Sequence, residues 1–338
     1  LTVTQSGGTT FSGTVSAATV VLTDTTDSAT IEFAGNLTAS SGLSVNADGG
    51  ADAFNVSLLG GSNSLAGTTT FRNTGTVTLG DAASDVTTFS GGVTATVPGQ
   101  INVAGTVQTS NAALTLGDGN ADAVVVTDDA TLKAGSSTIT LTATKINDSK
   151  TLTLGDGSAT TVSVSSVTGA NAVAGAGTGS NLTLNTTGTM SVSGAIGTDI
   201  GTLTVTQSGG TTFSGAVSAG GSVILSDTTG TITFSGALTT PTLITAAQDY
   251  HLILAGDGTT LTQAFTPVNT GNLTLGGSAG TTQSYEGGLD TRGVGGTVTL
   301  KGTIQASDDA LTLGAVTLGA NTVISTVASS NSADLSLG

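Results

Sequence analysis

The sequence predicts an all-β fold, a right-handed parallel β-helix (β-solenoid) with about 20 residues in each coil. Three observations predict it. Short runs such as TVVLTD and TIEFAGNLTA alternate apolar and polar residues, as half-buried strands do. Turn residues such as Gly, Asn and Asp separate these runs, and no stretch has the sustained apolar spacing of an amphipathic helix. Aromatic residues and longer motifs return at regular intervals, which indicates a repeat architecture.

The ten aromatic residues fall into two blocks of five, and neighbouring rings within a block are 15 to 22 residues apart. This spacing indicates one ring in a similar place in each coil. A coil rise of roughly 4.8 Å suits the distance at which rings pack, so we favour an internal stack over an external carbohydrate-binding strip. The predicted stack comprises Phe11, Phe33, Phe54, Phe71, Phe89, Phe213, Phe234, Tyr250, Phe265 and Tyr285.

A longer repeat of roughly 200 residues contains the short one. LTVTQSGGTTFSGTVSA at 1–17 returns at 203–219 with one difference in seventeen positions, and NTGTVTLG at 73–80 returns as NTGNLTLG at 269–276. We therefore predict one continuous β-solenoid over 1–338, made of super-repeat copies 1–202 and 203–338, the second incomplete. The alternative is a tandem of β-sandwich domains of about 100 residues, which the near-constant ring spacing disfavours.

Composition argues against several classes of protein. The 338 residues include no Cys, which rules out disulfides and thiolate metal sites. The six basic residues are isolated along a chain of net charge −16, so we expect no nucleic-acid binding through phosphate contacts. No apolar run approaches the ~18–20 residues that span a bilayer. Because the chain opens directly in a strand-like motif, we expect a mature or excised piece of a longer protein.

Several motifs resemble those of a known group of proteins. LTVTQSGG, TTFSGTVSA, GTVTLGD and NLTLN, in a chain rich in Gly, Ser, Thr and Ala, resemble the repeats of bacterial surface and secreted β-helix proteins, the filamentous-haemagglutinin and autotransporter-passenger adhesins. The likeness is one of composition and style and covers essentially the whole chain. It implies an extracellular or bacterial cell-surface location and a role as an adhesin, surface fibre or biofilm component. It brings no shared catalytic motif.

Two acidic, Gly-rich turns are candidate metal sites. NADGGADAF at 46–54 holds Asp48 and Asp52, and GDGNAD at 117–122 holds Asp118 and Asp122. They are faintly similar to the Gly/Asp turns of calcium-binding β-rolls, and carboxylates are hard oxygen ligands. The nonapeptide pattern is not completed, and turns need Asp and Gly in any case. We favour the turn interpretation, with calcium as the one candidate cofactor.

Two adjacent acid pairs, Asp128–Asp129 and Asp308–Asp309, are candidates for the paired carboxylates of a polysaccharide-cleaving enzyme. Neighbours on a strand point to opposite faces, so neither pair converges by itself. Solvated turns are the interpretation that we favour for both pairs.

His251 and Ser278 are the other catalytic candidates. His251 is the only histidine, and the super-repeat aligns it with Asn55, an outward polar position. Ser278 lies in GGSAG at 276–280, which spells a nucleophile elbow, but no helical pattern follows it as that motif requires. We predict no catalytic residues and no enzymatic activity.

These observations predict an extracellular structural protein, a rod-like solenoid of a bacterial surface fibre, sheath or adhesin. Its expected partners are other copies of itself, by end-to-end or lateral assembly, because an open sheet edge is a template for another strand. The alternative is an adhesive module on the same fold that binds host or matrix glycans or a receptor. A polysaccharide-acting β-helix enzyme is the least favoured alternative.

Overall fold

The computed structural model describes residues 1–23, 26–46, 52–170, 179–197, 199–326 and 333–338. This part of the chain is nearly all β, and its parallel strands stack as a β-solenoid, which confirms the predicted fold class. Its helical content is one 3₁₀ turn, Thr291–Gly293. The chain forms two compact units, Leu1–Ala170 (the N-terminal unit) and Asn171–Gly338 (the C-terminal unit). Continuity of the solenoid across the two super-repeat copies stays a prediction.

The N-terminal unit contains seventeen described strands, most of them three to ten residues long. Thr and Val dominate them because β-branched side chains pack well on a pleated surface. The strands are β1 (Thr2–Val3), β2 (Thr9–Phe11), β3 (Val15–Leu22), β4 (Thr30–Phe33), β5 (Leu37–Val45), β6 (Asn55–Leu58), β7 (Ser62–Leu65), β8 (Thr69–Phe71), β9 (Thr76–Leu79), β10 (Val86–Phe89), β11 (Val93–Ala95), β12 (Gln100–Thr109), β13 (Leu114–Leu116), β14 (Val124–Lys133), β15 (Thr138–Ile146), β16 (Thr151–Leu154) and β17 (Thr161–Gly169).

These strands form three parallel faces. One face runs through β1, β8, β11 and β13, the second through β2, β4, β6 and β9, and the third through β7, β10 and β16. The longer strands β3, β5, β12, β14, β15 and β17 turn a corner and contribute one segment to each of two faces. At the corner of β12 the register shifts between Val103 and Gly105, where the chain bends.

The C-terminal unit repeats this arrangement with shorter strands and adds a separate three-stranded sheet of β32, β34 and β36. Phe265 joins that sheet through an isolated parallel bridge to Leu289. The strands are β18 (Ser180–Asn185), β19 (Met190–Val192), β20 (Ile196–Gly197), β21 (Ile200–Ser208), β22 (Thr211–Phe213), β23 (Val217–Ser218), β24 (Ser222–Thr228), β25 (Thr231–Phe234), β26 (Leu238–Thr240), β27 (Thr242–Thr245), β28 (His251–Leu254), β29 (Thr259–Leu261), β30 (Leu273–Leu275), β31 (Thr282–Tyr285), β32 (Leu289–Asp290), β33 (Val298–Gln305), β34 (Leu311–Leu313), β35 (Val316–Ser325) and β36 (Leu335–Leu337).

The core consists of rows of apolar side chains that stack from coil to coil. In the second face, Ile31, Val56, Val77, Ile101 and Val124 are register partners in consecutive coils, and each is 0% exposed. Burying each such side chain stabilises the fold by about 1.5–3 kcal/mol. Because the side chains of a strand alternate between faces, the residues between them point outward. The apolar residues of the period-two pattern therefore line the inside of the solenoid, and the polar residues between them line its outside.

Coil length is not constant at the predicted value of about 20 residues. Val298 pairs with Val316, an offset of 18 residues, whereas Thr38 pairs with Ser64, an offset of 26. The difference lies in the corners. Residues 80–85 form a loop between β9 and β10, while the equivalent corner of the next coil is turned inside β12.

No membrane-crossing helix occurs within the described ranges, whose single helical element is the three-residue turn after β32.

Candidate functional site

The aromatic side chains lie inside the coils. Nine of the ten rings are at most 1% exposed, and only Phe11, in the first coil, is half-buried. An external carbohydrate-binding strip would need accessible ring faces, which these residues do not offer. The rings therefore contribute packing and apolar burial.

Eight of the ten rings form four separate pairs, two at corresponding places in each super-repeat copy. Phe11 and Phe33 are register partners with centroids 4.9 Å apart and planes 13° apart. Their counterparts Phe213 and Phe234 are 4.7 Å and 18° apart. The stacked pair is thus rebuilt where the sequence repeats.

A second pair differs between the copies. Phe71 and Phe89 meet edge to face, with centroids 6.2 Å apart and an interplanar angle of 82°. Phe265 and Tyr285 are 6.1 Å apart but lie nearly parallel, at 10°. The change of geometry accompanies the change from Phe89 to Tyr285, whose hydroxyl needs a hydrogen-bond partner in the core.

Phe54 and Tyr250 occupy equivalent positions, and each is held through its backbone. Asn73 Nδ2 donates to the Phe54 carbonyl at 2.9 Å, and Asn269 Nδ2 donates to the Tyr250 carbonyl at 3.2 Å. Both asparagines belong to the repeated NTG motif and are 0% exposed. Burial raises the pKa of Tyr250 to about 12, so its hydroxyl stays neutral at ordinary pH.

Buried polar residues next to the rings bind backbone groups of neighbouring coils. In the first copy, Asn63 Oδ1 accepts from the Leu37 amide at 2.9 Å, and its Nδ2 donates to the Gly60 carbonyl at 2.8 Å and to Thr87 Oγ1 at 3.2 Å. One side chain thus binds three partners within the core.

The second copy solves the same problem with different residues. Thr259 stands where the first copy has Asn63, and its shorter side chain reaches fewer partners. Gln283, on a neighbouring strand, has a longer side chain and binds a further backbone group. Its Nε2 donates to the Leu254 carbonyl at 2.7 Å. Its Oε1 accepts from the Tyr285 hydroxyl at 2.9 Å, in a fully buried contact.

Outside the core, a recurrent contact joins successive coils at strand starts. A side-chain acceptor in one coil binds a backbone amide of the next, and we name this contact the inter-coil clamp. Among the described residues, seven clamps use an Asn or Asp oxygen, at 2.7–3.3 Å: Asp27 with Ala53, Asn36 with Ser62, Asn55 with Thr76, Asn111 with Ser136, Asp129 with Thr151, Asp257 with Thr282, and Asn272 with Thr297.

His251 forms the same contact with an imidazole nitrogen. Its Nδ1 accepts from the Asn272 amide at 2.9 Å. The side chain is exposed and lies at the start of β28, in the position that Asn55 holds in the first copy. The structure therefore gives His251 a hydrogen-bonding role between coils, which the outward polar position alone did not indicate.

The three candidate calcium ligands that the structure describes, Asp52, Asp118 and Asp122, are not brought together as a cluster. Asp48 lies outside the described residues, and Asp52 is half-buried. Asp118 accepts from the amide of Asn120 at 2.9 Å, as in an Asx turn. Asp122 pairs with Lys145 Nζ at 3.7 Å. In the described ranges no group of three or more acidic or histidine side chains is placed to hold a metal ion.

The acid pair in β14 has structural contacts. Asp128 pairs with Lys150 at 2.5 Å, and Asp129 is a clamp acceptor. Hydrogen bonding to Lys150 holds the pKa of Asp128 below its usual value and raises the pKa of Lys150. Asp308 and Asp309 are exposed in the turn between β33 and β34, in the other unit.

Sequence reasoning missed the carboxyl pair at the corner before β10. Asp85 is 6% exposed, and its Oδ2 accepts from the amides of Asp81 and Ala82 at 2.9 and 3.0 Å. Burial, and then the neighbouring Asp85, raise the pKa of Asp81. The GDAASD letters of this loop were the signal, but the second copy replaces Asp85 with Thr281, whose Oγ1 accepts from the Gly277 amide at 3.2 Å.

Ser278, in the GGSAG segment, is exposed in the turn after β30. Its amide donates to Thr281 Oγ1 at 2.9 Å, and the chain continues into strand β31. The helix that a nucleophile elbow requires therefore does not follow.

The strongest local features of both units are thus contacts between coils: paired rings, buried amides and clamps. Comparison with protein-family models, curated proteins and solved structures finds no match for this chain.

Proposed function

We propose that this chain is a non-enzymatic structural protein, a stiff β-solenoid segment of an extracellular or bacterial cell-surface fibre, sheath or adhesin. One observation carries the proposal. Within each unit, successive coils are joined by parallel strand pairing on several faces, and inter-coil clamps add contacts at several of these junctions outside the core. In a repeat protein each repeat contacts only its neighbours, so the bonds between coils add up along the stacking direction, and we expect them to make the solenoid stiff.

The resemblance of the TTFSGTVSA and NLTLN repeats to filamentous-haemagglutinin and autotransporter-passenger proteins supports the surface location. The low share of charged side chains, 8%, also suits a protein that is built by stacking. An antibody against the chain should label intact cells of its source organism. Labelling that appears only after permeabilisation would contradict the proposed location.

Stiffness is tested by electron microscopy of the purified 338-residue chain. We expect slender, straight particles whose width is constant along their length. Particles that bend freely, or that are round, would contradict a structural role based on stiffness. Imaging at several protein concentrations also shows whether particles lengthen by joining.

Self-assembly through an open sheet edge is part of the proposal. Within the described part of the chain, β35 pairs only with β33, and β36 only with β34. Leu318 is 62% exposed and Leu337 66% exposed at this edge. A second molecule of this chain that adds strands here would cover both side chains and bond the free backbone groups of the edge.

Sedimentation of a Leu318→Lys/Leu337→Lys variant tests this edge. We expect the variant to associate less than the unchanged chain, because a charge would be buried at the joint. A Thr115→Lys variant, changed on an outward face of the N-terminal unit, is the matched control for lateral contacts. Equal association of the unchanged chain and the edge variant would overturn end-to-end assembly.

A second candidate function is adhesion to glycans or to a receptor, and one observation favours it. A row of outward hydroxyl groups runs along one face over four consecutive coils. It is formed by the register partners Thr70, Thr94, Thr115 and Thr140. Hydroxyl groups suit the polar recognition of sugars. Glycan-array binding that is lost in Thr94→Val/Thr115→Val, with the fold intact, would favour this function over the purely structural one.

A further inference from the structure

We propose that His251 makes one inter-coil clamp of the C-terminal unit sensitive to pH. The other clamp acceptors are amide or carboxylate oxygens, whereas this one is the unprotonated nitrogen of an imidazole. The inference concerns the fold and does not depend on the proposed function.

The position of His251 within a continuous series of clamps supports the proposal. Asn272 is bonded on both sides, because its amide donates to His251 Nδ1 at 2.9 Å and its Oδ1 accepts from the Thr297 amide at 2.9 Å. The backbone between them is also paired, since the Leu252 amide donates to the Asn272 carbonyl at 2.9 Å. A change at His251 therefore acts at a junction of three coils.

The imidazole of His251 lies close to the backbone of the next coil. A Cβ atom added to Gly271 would lie 2.3 Å from the Tyr250 carbonyl oxygen and 3.0 Å from His251 Nδ1, so this glycine lets the coil pass close to both the backbone and the ring. The equivalent glycine of the first copy, Gly75, stands in the same relation to Asn55, whose Oδ1 would lie 2.7 Å from such an atom. Both copies thus keep room for a clamp acceptor at this position.

Protonation removes the acceptor. An imidazolium carries a hydrogen on both nitrogens, so Nδ1 then faces the Asn272 amide as donor against donor. Histidine is the side chain that ordinarily changes charge between about pH 5 and 8. An asparagine at the same place keeps its oxygen at every pH in that range. Mild acid therefore breaks this clamp and leaves the asparagine clamps intact.

The strands beside β28 carry no charge that would hold the imidazolium in place. The strands packed against β28 are β25 and β30, whose sequences, TITF and LTL, contain no ionisable side chain. On its own segment the neighbouring ionisable groups are Asp249 and Tyr250, and the Tyr250 ring is buried in the core. Asp249 precedes the strand and is exposed.

Hydrogen exchange of single backbone amides tests the proposal in the full chain. Because exchange chemistry itself depends on pH, the rate at Asn272 is divided by the rate at Thr76, whose clamp acceptor is Asn55. We expect this ratio to rise about ten-fold between about pH 7.5 and pH 5.5, in step with the titration of the single histidine followed by NMR.

Two variants make the test decisive. His251→Asn restores the acceptor of the first copy and should abolish the pH dependence of the ratio. Asn55→His places an imidazole at the other clamp. The exchange rate of the Thr76 amide should then gain the same pH dependence, with the Thr297 amide as the reference. A ratio that stays constant with pH in the unchanged chain, or a pH dependence that survives in His251→Asn, would overturn the proposal.

Discussion

At the scale of single residues, the two super-repeat copies show how a buried polar set is exchanged as a whole. Asn63 and Thr87 in the first copy become Thr259 and Gln283 in the second. The long amide side chain moves to the neighbouring strand, and the backbone groups of the core remain bonded. A buried donor or acceptor left without a partner costs about 1–3 kcal/mol, which explains why the residues change together.

Tyr285→Phe tests this dependence. The substitution removes the hydroxyl that donates to Gln283 Oε1 and leaves that buried acceptor without its partner. We expect the free energy of unfolding to fall by about 1–3 kcal/mol, measured by denaturant titration. Phe89, at the equivalent position of the first copy, shows that the ring itself is tolerated there. An unchanged midpoint and slope would contradict the role of the bond.

Two acidic residues should respond to pH with opposite signs. Lys150 holds the pKa of Asp128 below its usual value, so the pair stabilises the fold at neutral pH and loses that contribution as the pH falls through the lowered pKa. Burial and Asp85 raise the pKa of Asp81, so its charge destabilises the fold at neutral pH and this cost disappears in acid.

Unfolding measured against pH checks both signs. At neutral pH, Asp128→Asn should be less stable than the unchanged chain and Asp81→Asn more stable. Both differences should shrink as the solution is acidified below the ordinary carboxyl range. Salt should weaken the Asp128 effect, since that pair is open to solvent. Differences of the same sign would contradict the account of these two carboxyls.

At the scale of elements, each short strand owes its stability to its inward side. In β13, Leu114 and Leu116 are 0% exposed and Thr115 between them points outward. We expect Leu116→Ala to cost about 2–5 kcal/mol, because it removes buried methyl groups and leaves a cavity. The matched change Thr115→Ala should stay within about 0.5 kcal/mol. Equal costs in urea unfolding would show that the face assignment is wrong.

Much of this element pattern could be predicted from the sequence. The alternation that identifies β13 also assigns its faces, and the spacing of Phe213 and Phe234 anticipates rings in adjacent coils. Coil length could not be predicted in detail, because corners differ: Gly105 turns inside a strand with φ +68, while 80–85 forms a loop. A mean spacing conceals such differences.

The clamps could not be predicted either. A clamp joins residues 21 to 26 positions apart, as Asn55 joins Thr76 and Asn36 joins Ser62. Identifying it requires the register between coils, which depends on every corner in between. For the same reason, the alignment of His251 with Asn55 indicated that His251 points outward but did not identify the Asn272 amide as its partner.

At the scale of the whole molecule, the coil is the unit of construction, so a coil can be removed. Deleting residues 93–113 joins Gly92 to Leu114, which is the register partner of Val93 in the next coil. We expect this chain to fold, with the β content and cooperative unfolding of the original, because each coil contacts mainly its neighbours.

Deleting residues 93–103 is the matched control. It removes part of a coil, so that later strands fall on the wrong faces and their apolar side chains turn outward. Circular dichroism and thermal unfolding should show a folded first variant and a destabilised second one. Equal tolerance of both deletions would contradict the solenoid register.

The most direct test of the stacked-coil architecture uses cysteine pairs, because the natural chain has no cysteine. Thr94 and Thr115 are register partners in adjacent coils, and Thr140 lies one coil further. Neighbouring strands are about 4.8 Å apart, within the roughly 4.4–6.8 Å between Cα atoms that a disulfide spans. We expect Thr94→Cys/Thr115→Cys to form an internal disulfide under mild oxidation, measured by intact mass and free-thiol titration, and Thr94→Cys/Thr140→Cys to keep both thiols. Cross-linking of the second pair, or failure of the first, would contradict the architecture on which the proposed function rests.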